Sequence, residues 1–158
     1  MLKLPNARLL LRTDASLDQF PALRTLLARL HNVEVVSYVD NMSNFYRRCD
    51  AFVFPTVDDG FGMALLEAMA HGLPSIATDH CGAVELFAPD QDLTVIPAQD
   101  VSALATSMDS LYRSPDLRRH LGVNAREAVR RCEGNGSYDL YAATLDRILA
   151  GIQPADSK

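Results

Sequence analysis

The sequence predicts an α/β fold, an open parallel sheet with helices on both faces. Three observations carry that expectation. Short apolar runs bounded by turn residues alternate with helical patterns along most of the chain. The runs are almost wholly apolar, which suits strands covered on both sides. The stretches between them read as helical crossovers, the connection that neighbouring parallel strands require.

Residues 7–12 (ARLLLR) read as the first strand, and residues 18–30 as an amphipathic helix. Residues 33–39 (VEVVSYV) give a second strand, 42–48 a short helix, and 51–54 (AFVF) a third strand closed by Pro55. Residues 63–71 (MALLEAMAH) read as a buried helix stopped by Gly72 and Pro74. Two more strands are expected at 75–78 (SIAT) and 93–96 (LTVI). The remainder is helical: 101–113 after Asp100 as N-cap, 116–132 after Pro115, and 138–149 after the Glu133-Gly134-Asn135-Gly136 break. A single domain is expected over residues 1–152, with a polar tail at 153–158 that frays.

Composition agrees with one packed domain. The chain has 158 residues, 48% of them hydrophobic and 22% charged, enough to bury a full core. No run approaches the roughly 18 apolar residues that a membrane helix needs. With a net charge of -5 and scattered arginines, the chain has no basic stripe for a polyphosphate backbone, so nucleic acid is not an expected partner. Cys49, Cys81 and Cys132 are widely spaced and suit reduced thiols in a cytoplasmic chain. His80 and Cys81 are adjacent, but no spacing supplies four convergent ligands, so no metal is expected. Residues 1–12 lack the regions of a signal peptide.

The chemistry is concentrated in residues 55–74 (PTVDDGFGMALLEAMAHGLP), which read as a strand end, a loop and a helix. In an open parallel sheet, ligands bind beyond the carboxyl ends of the strands, where this loop lies. Gly60 and Gly62 allow backbone to approach a ligand, and free N–H groups at the helix start favour a phosphate. Glu67 stands among apolar neighbours, so its carboxylate is expected to have little solvent on any side. It must then be paired within the protein or accept hydrogen bonds from a ligand, such as ribose hydroxyls. Asp59 is either a turn residue before Gly60 or a group facing that ligand. Arg12 at a strand end reads as a surface residue or a phosphate contact. His71 reads as a charge at a helix C-terminus, whereas His80 and Glu85 border the strand ends.

These residues resemble a known signature: a carboxylate, Gly-Phe-Gly, four residues, Glu-Ala-Met-Ala, then x-Gly-x-Pro. It is that of the nucleotide-sugar glycosyltransferases of the GT-B fold, specifically family 4 (glycosyl transferases group 1). The match continues through Ile76-Ala77-Thr78-Asp79, Gly82 and Glu85, and residues 46–55 (YRRCDAFVFP) also look like this family. It covers roughly residues 7–150, with its specificity in 50–85.

The resemblance implies a Rossmann-like, nucleotide-sugar-binding C-terminal half of a GT-B glycosyltransferase. By the same resemblance Glu67 holds the donor's ribose hydroxyls, and backbone at Gly60, Phe61, Gly62 and Met63 faces the sugar hydroxyls and diphosphate. Asp59 stands where the family usually has the first Glu of its paired carboxylates, and approaches the donor sugar as the catalytic residue. Tyr38, Val39 and Asp40 border the base. The family's Arg and Lys for the diphosphate have no counterpart here, since the only lysines are Lys3 and Lys158. The chain therefore looks truncated at its N-terminal side, without the acceptor-binding domain, and its exposed domain-facing surface is expected to produce an artefactual homodimer.

The expected function is transfer of a sugar, with retention, from a nucleotide diphosphate sugar to an acceptor hydroxyl, with no metal and no other cofactor. The isolated chain is expected to be inactive. Two alternatives stay open: a non-catalytic nucleotide-sugar-binding module, and another GT-B-fold enzyme such as an epimerase or phosphorylase.

Overall fold

The computed structural model of the chain describes residues 4–134. The expected helix at 138–149 and the tail at 153–158 lie outside the described residues. Five strands form, β1 (Leu9–Arg12), β2 (Val33–Val36), β3 (Phe52–Phe54), β4 (Ser75–Thr78) and β5 (Thr94–Ile96). Every pairing between them is parallel. The helices are α1 (Pro21–Leu27), α2 (Met42–Tyr46), α3 (Met63–Ala70), α4 (Val101–Arg113) and α5 (Pro115–Gly134). Short 3-10 turns stand at Leu17–Gln19 and Gly82–Leu86.

The larger sheet has the order β3-β4-β5, and β4 is buried at all four of its positions. Side chains alternate between its faces as the period-2 pleat demands. Phe52, Phe54, Ala77 and Val95 enter the cluster formed with α3 and α5, whereas Val53, Ile76 and Ile96 enter the one formed with α4. Helices therefore cover both faces, as expected.

Among the described residues the strands do not join into one sheet, which corrects the expectation of a single one: there β1 pairs only with β2, and β3 only with β4. Both sheets nevertheless rest on one apolar cluster. Phe45 and Tyr46 of α2, Ala68 of α3 and Leu73 are packed by Leu10 and Val36 from one sheet and by Phe52 from the other. Packing across this layer unites the sheets without a hydrogen-bonded ladder, and among the described residues β1 and β3 each keep one unpaired edge.

A second correction concerns residues 18–30, where one helix was expected and a 3-10 turn followed by α1 is found. Pro21 is the reason. Its ring keeps the preceding residue out of the α region, and Phe20 accordingly sits at φ -128 and ψ 68. The helix can start only at Pro21. No residue of α1 is buried, and Leu26 is 55% exposed.

The caps are local and legible. The Asp100 side chain accepts the Ala103 N–H at 2.8 Å, and the Ser114 hydroxyl accepts the Leu117 N–H at 3.1 Å. Asp92, almost fully buried, closes the turn before β5 by accepting the Ala88 N–H at 3.1 Å, and lies 3.3 Å from Arg131 of α5. Asp92→Ala leaves that N–H without a partner, and the expected loss is about 1–3 kcal/mol. Urea unfolding checks this as a lower midpoint with an unchanged slope.

Candidate functional site

The site is built where β3 hands over to α3 at the carboxyl ends of the strands. Residues 55–62 leave β3, and residues 79–83 leave the adjacent β4. The two loops are tied together by backbone: Asp59 N–H donates to the His80 carbonyl at 3.1 Å, Gly82 N–H to the Asp59 carbonyl at 3.1 Å, and Ala83 N–H to the Phe61 carbonyl at 2.7 Å. Such close lacing leaves no room for two side chains. A Cβ on Gly82 would overlap the Gly60 carbonyl, and one on Gly62 would overlap Cys81 Sγ. Gly62 also sits in the left-handed region, at φ 87.

Gly62 is the N-cap of α3 and provides no side-chain cap. The first N–H groups of the helix therefore remain available to an acceptor outside the protein, at the positive end of the helix dipole. Phe61 (44% exposed) and Met63 (58% exposed) flank this opening, and no atom lies within 4 Å of where a Gly60 Cβ would be. Asp59 is half-buried, and its Oδ1 accepts the Phe61 N–H at 3.0 Å. The carboxylate thus shapes the turn from within.

Glu67 requires a correction, because it is exposed rather than starved of solvent. The α3 helix buries only the stripe of Leu65, Ala68 and Met69, and leaves Met63, Glu67 and Ala70 facing outward. Apolar composition all round did not mean burial all round. The carboxylate is nonetheless held, with Oε2 accepting a hydrogen bond from the Tyr46 hydroxyl at 2.9 Å. Burial first, then the bond to Glu67 and its charge, push the Tyr46 phenol well above its ordinary value, and the Arg12 charge offsets part of this. Tyr46 therefore keeps its proton and is the hydrogen-bond donor to the Glu67 carboxylate.

His71, the C-cap of α3, donates from Nδ1 to the Glu67 carbonyl at 2.7 Å, and its Nε2 lies 2.6 Å from the Ser43 hydroxyl of α2. Its place at a helix C-terminus is the one expected. Arg12 pairs with Asp14 at 2.7 Å on the loop after β1. His80, at the end of β4, lies with Nδ1 2.8 Å from the Val57 carbonyl, and Glu85 is exposed in the turn that follows. In the segment expected to border the base, Val39 packs into the cluster that also holds Tyr46 and Ala68, Tyr38 is 76% exposed, and Asp40 is exposed. The structure thus brings Asp59, Gly60, Phe61, Gly62 and Met63 into one junction, with Glu67 one turn further along the open face of α3. A cavity of about 180 Å³ at these strand ends lies against Val101 and Leu104, on the α4 side of the sheet.

Tyr46 and the lacing of Cys81 and Gly82 onto the loop are the features that sequence reasoning missed. Tyr46 lies 21 residues from Glu67, so no local spacing announces the pair. The available signal was an aromatic residue with a polar tip beside Phe45 on a short helix, which must find a partner when buried. Among the described residues, no group of three or more His, Cys, Asp or Glu is placed to hold a metal, and no helix is long and apolar enough to cross a membrane.

The pattern of the family "Glycosyl transferases group 1" matches residues 15–128. The capsular polysaccharide biosynthesis glycosyltransferase CapM of Staphylococcus aureus is 31% identical over 119 residues, covering 75% of this chain and 31% of CapM. The lipopolysaccharide core biosynthesis mannosyltransferase LpsB of Rhizobium meliloti is 34% identical over 114 residues, 71% of this chain and 32% of LpsB. The chain thus spans about a third of the length of these relatives. Among solved structures, sucrose-phosphate synthase from Thermosynechococcus elongatus superposes with a TM-score of 0.77 at 26% identity, over 92% of this chain and 39% of the other. HepE of Anabaena, solved in complex with UDP, shares the fold with a TM-score of 0.74 at 17% identity, over 94% of this chain and 42% of its own.

Proposed function

This chain belongs to the glycosyl transferases group 1 family and has the GT-B-type α/β fold, and from that premise we propose that it is the donor-binding part of a retaining glycosyltransferase. It holds a nucleotide diphosphate sugar whose sugar passes to an acceptor hydroxyl. The observation that carries the reading is the open face of α3. An uncapped helix N-terminus and a fixed, exposed carboxylate one turn away suit a diphosphate followed by a ribose. Glu67 accepts from the ribose hydroxyls, and backbone from Gly60 to Met63 faces the diphosphate and sugar. Asp59 lies toward the sugar, and the loop with Val39 and Asp40 borders the base.

In the transfer, the bond from the sugar's anomeric carbon to the diphosphate oxygen breaks and a bond to the acceptor oxygen forms on the same face. The acceptor's proton goes to the departing phosphate. Helix N–H groups stabilise the charge that develops on the diphosphate, so this step is assigned no metal. The rest of the protein supplies the acceptor-binding domain, in the cytoplasm, and the chain by itself turns over nothing because it carries one wall of the cleft. The unpaired edges of β1 and β3 support an additional covering element from that remainder, or a second copy of the chain.

Calorimetry with UDP, GDP and ADP tests the reading, and UDP is included because HepE has the same fold. One nucleotide is expected to bind selectively, and Glu67→Ala is expected to weaken it by roughly 10- to 100-fold, the worth of hydrogen bonds to a charged group. Unchanged affinity in Glu67→Ala overturns the role of Glu67. A second reading, a non-catalytic binding module, is favoured by Asp59, which is one methylene shorter than the Glu the family usually has there and whose Oδ1 is turned back to the Phe61 N–H. Turnover by the chain joined to its acceptor half excludes that second reading.

A further inference from the structure

Glu67 is exposed and has three freely rotating side-chain bonds, yet a carboxylate that is to receive two neighbouring hydroxyls must already be in place. Tyr46 supplies the constraint. Its hydroxyl reaches Glu67 Oε2 at 2.9 Å, with the Ala64 carbonyl at 3.4 Å as the other acceptor nearby. The ring, 2% exposed, cannot swing away from that position. Phe45 and Phe52 meet it edge-on, with centroids 5.9 and 6.0 Å away, and His71 lies 5.0 Å from it in a tilted stack. His71 is itself fixed between the Glu67 carbonyl and Ser43. The α2 helix is thereby pinned to α3 at two levels, Ser43 to His71 and Tyr46 to Glu67.

A carboxylate has about four acceptor sites, of which the Tyr46 bond occupies one. Among the described residues, no hydrogen bond to Oε1 competes for the remainder. We infer that Tyr46 is a positioning residue of the nucleotide site: it presets the Glu67 carboxylate from a separate helix, so that ribose hydroxyls meet an acceptor already in its bound orientation. This inference rests on the proposed role of Glu67, and the experiment separates the two.

The probe is whichever of UDP, GDP and ADP the 158-residue chain binds, together with the 2′,3′-dideoxy form of that nucleotide. Tyr46→Phe keeps the ring and its aromatic neighbours, so circular dichroism is expected to be unchanged. Its affinity for the natural nucleotide is expected to fall roughly tenfold, the effect of one hydrogen bond to a charged group. Affinity for the dideoxy form is expected to stay at the wild-type value, and Tyr46→Phe is expected to add nothing in the Glu67→Ala background. Equal weakening of both ligands means general damage to the site and overturns the inference. Full affinity in Tyr46→Phe with weakened binding in Glu67→Ala overturns it and leaves the reading of Glu67 standing. Full affinity in Glu67→Ala, or no binding of any of the three by the wild-type chain, removes both.

Discussion

Gly62→Ala is expected to destabilise the chain by about 2–5 kcal/mol, through two separable costs. The backbone at residue 62 is left-handed, at φ 87, and holding a residue with a Cβ there costs about 1–2 kcal/mol. The added methyl also enters the space of Cys81 Sγ, whose side chain is buried and approaches the Phe61 carbonyl at 3.5 Å. Forcing an extra carbon into such packing costs a further 1–3 kcal/mol or so. Urea unfolding of Gly62→Ala, Cys81→Ala and the double variant separates the terms. The double variant is expected to lose less than the sum of the two single losses, because truncating Cys81 removes the clash but not the backbone cost. A Gly62→Ala chain within about 0.5 kcal/mol of wild type, the range of an ordinary surface change, contradicts the junction as described.

Leu65→Ala is expected to cost about 3–5 kcal/mol, within the range for truncating a fully buried leucine. Leu65 is 0% exposed and sits in the cluster that joins α3 to β4 and α5 through Met69, Ala77, Ala125 and Ala128. Alanine favours a helix at least as well as leucine, so the loss comes from the cavity and not from the helix itself. Met63→Ala, two residues away but on the open face, is the companion. It is expected to fall within about 0.5 kcal/mol of wild type. Since a domain has only about 5–15 kcal/mol of stability, thermal melting shows the contrast directly. Equal melting temperatures for the two variants contradict the assignment of the α3 faces.

Several elements were legible because their determinants are local. The strand at 75–78 and the helix at 101–113 have the expected bounds, the latter because Asp100 caps it. The loop 59–62 and its glycines stand where their turn chemistry placed them. The exposure of Glu67 was not legible, because it depends on which element lies opposite the 63, 67 and 70 stripe, and no composition rule reports an absent neighbour. The break at Phe20 was readable in principle from Pro21, yet the apolar period across residues 18–30 outweighed it. The division into two sheets turns on hydrogen bonds between strands far apart in sequence, which apolar runs do not specify.

The helix without a buried residue has a kinetic meaning. Local opening costs what local burial supplies, and β1, α1 and β2 contribute no residue buried below the surface, whereas β4 is buried throughout. Free energy of opening is therefore expected to rise along the chain, low through residues 9–36 and close to the global value at β4 and the α3–α5 seam. The nucleotide junction adjoins this gradient: the Glu67 carboxylate rides on the slow-opening part, and the loop proposed to border the base follows directly on the fast-opening one. A ligand touching both would draw residues 9–36 into the same cooperative unit as the rest.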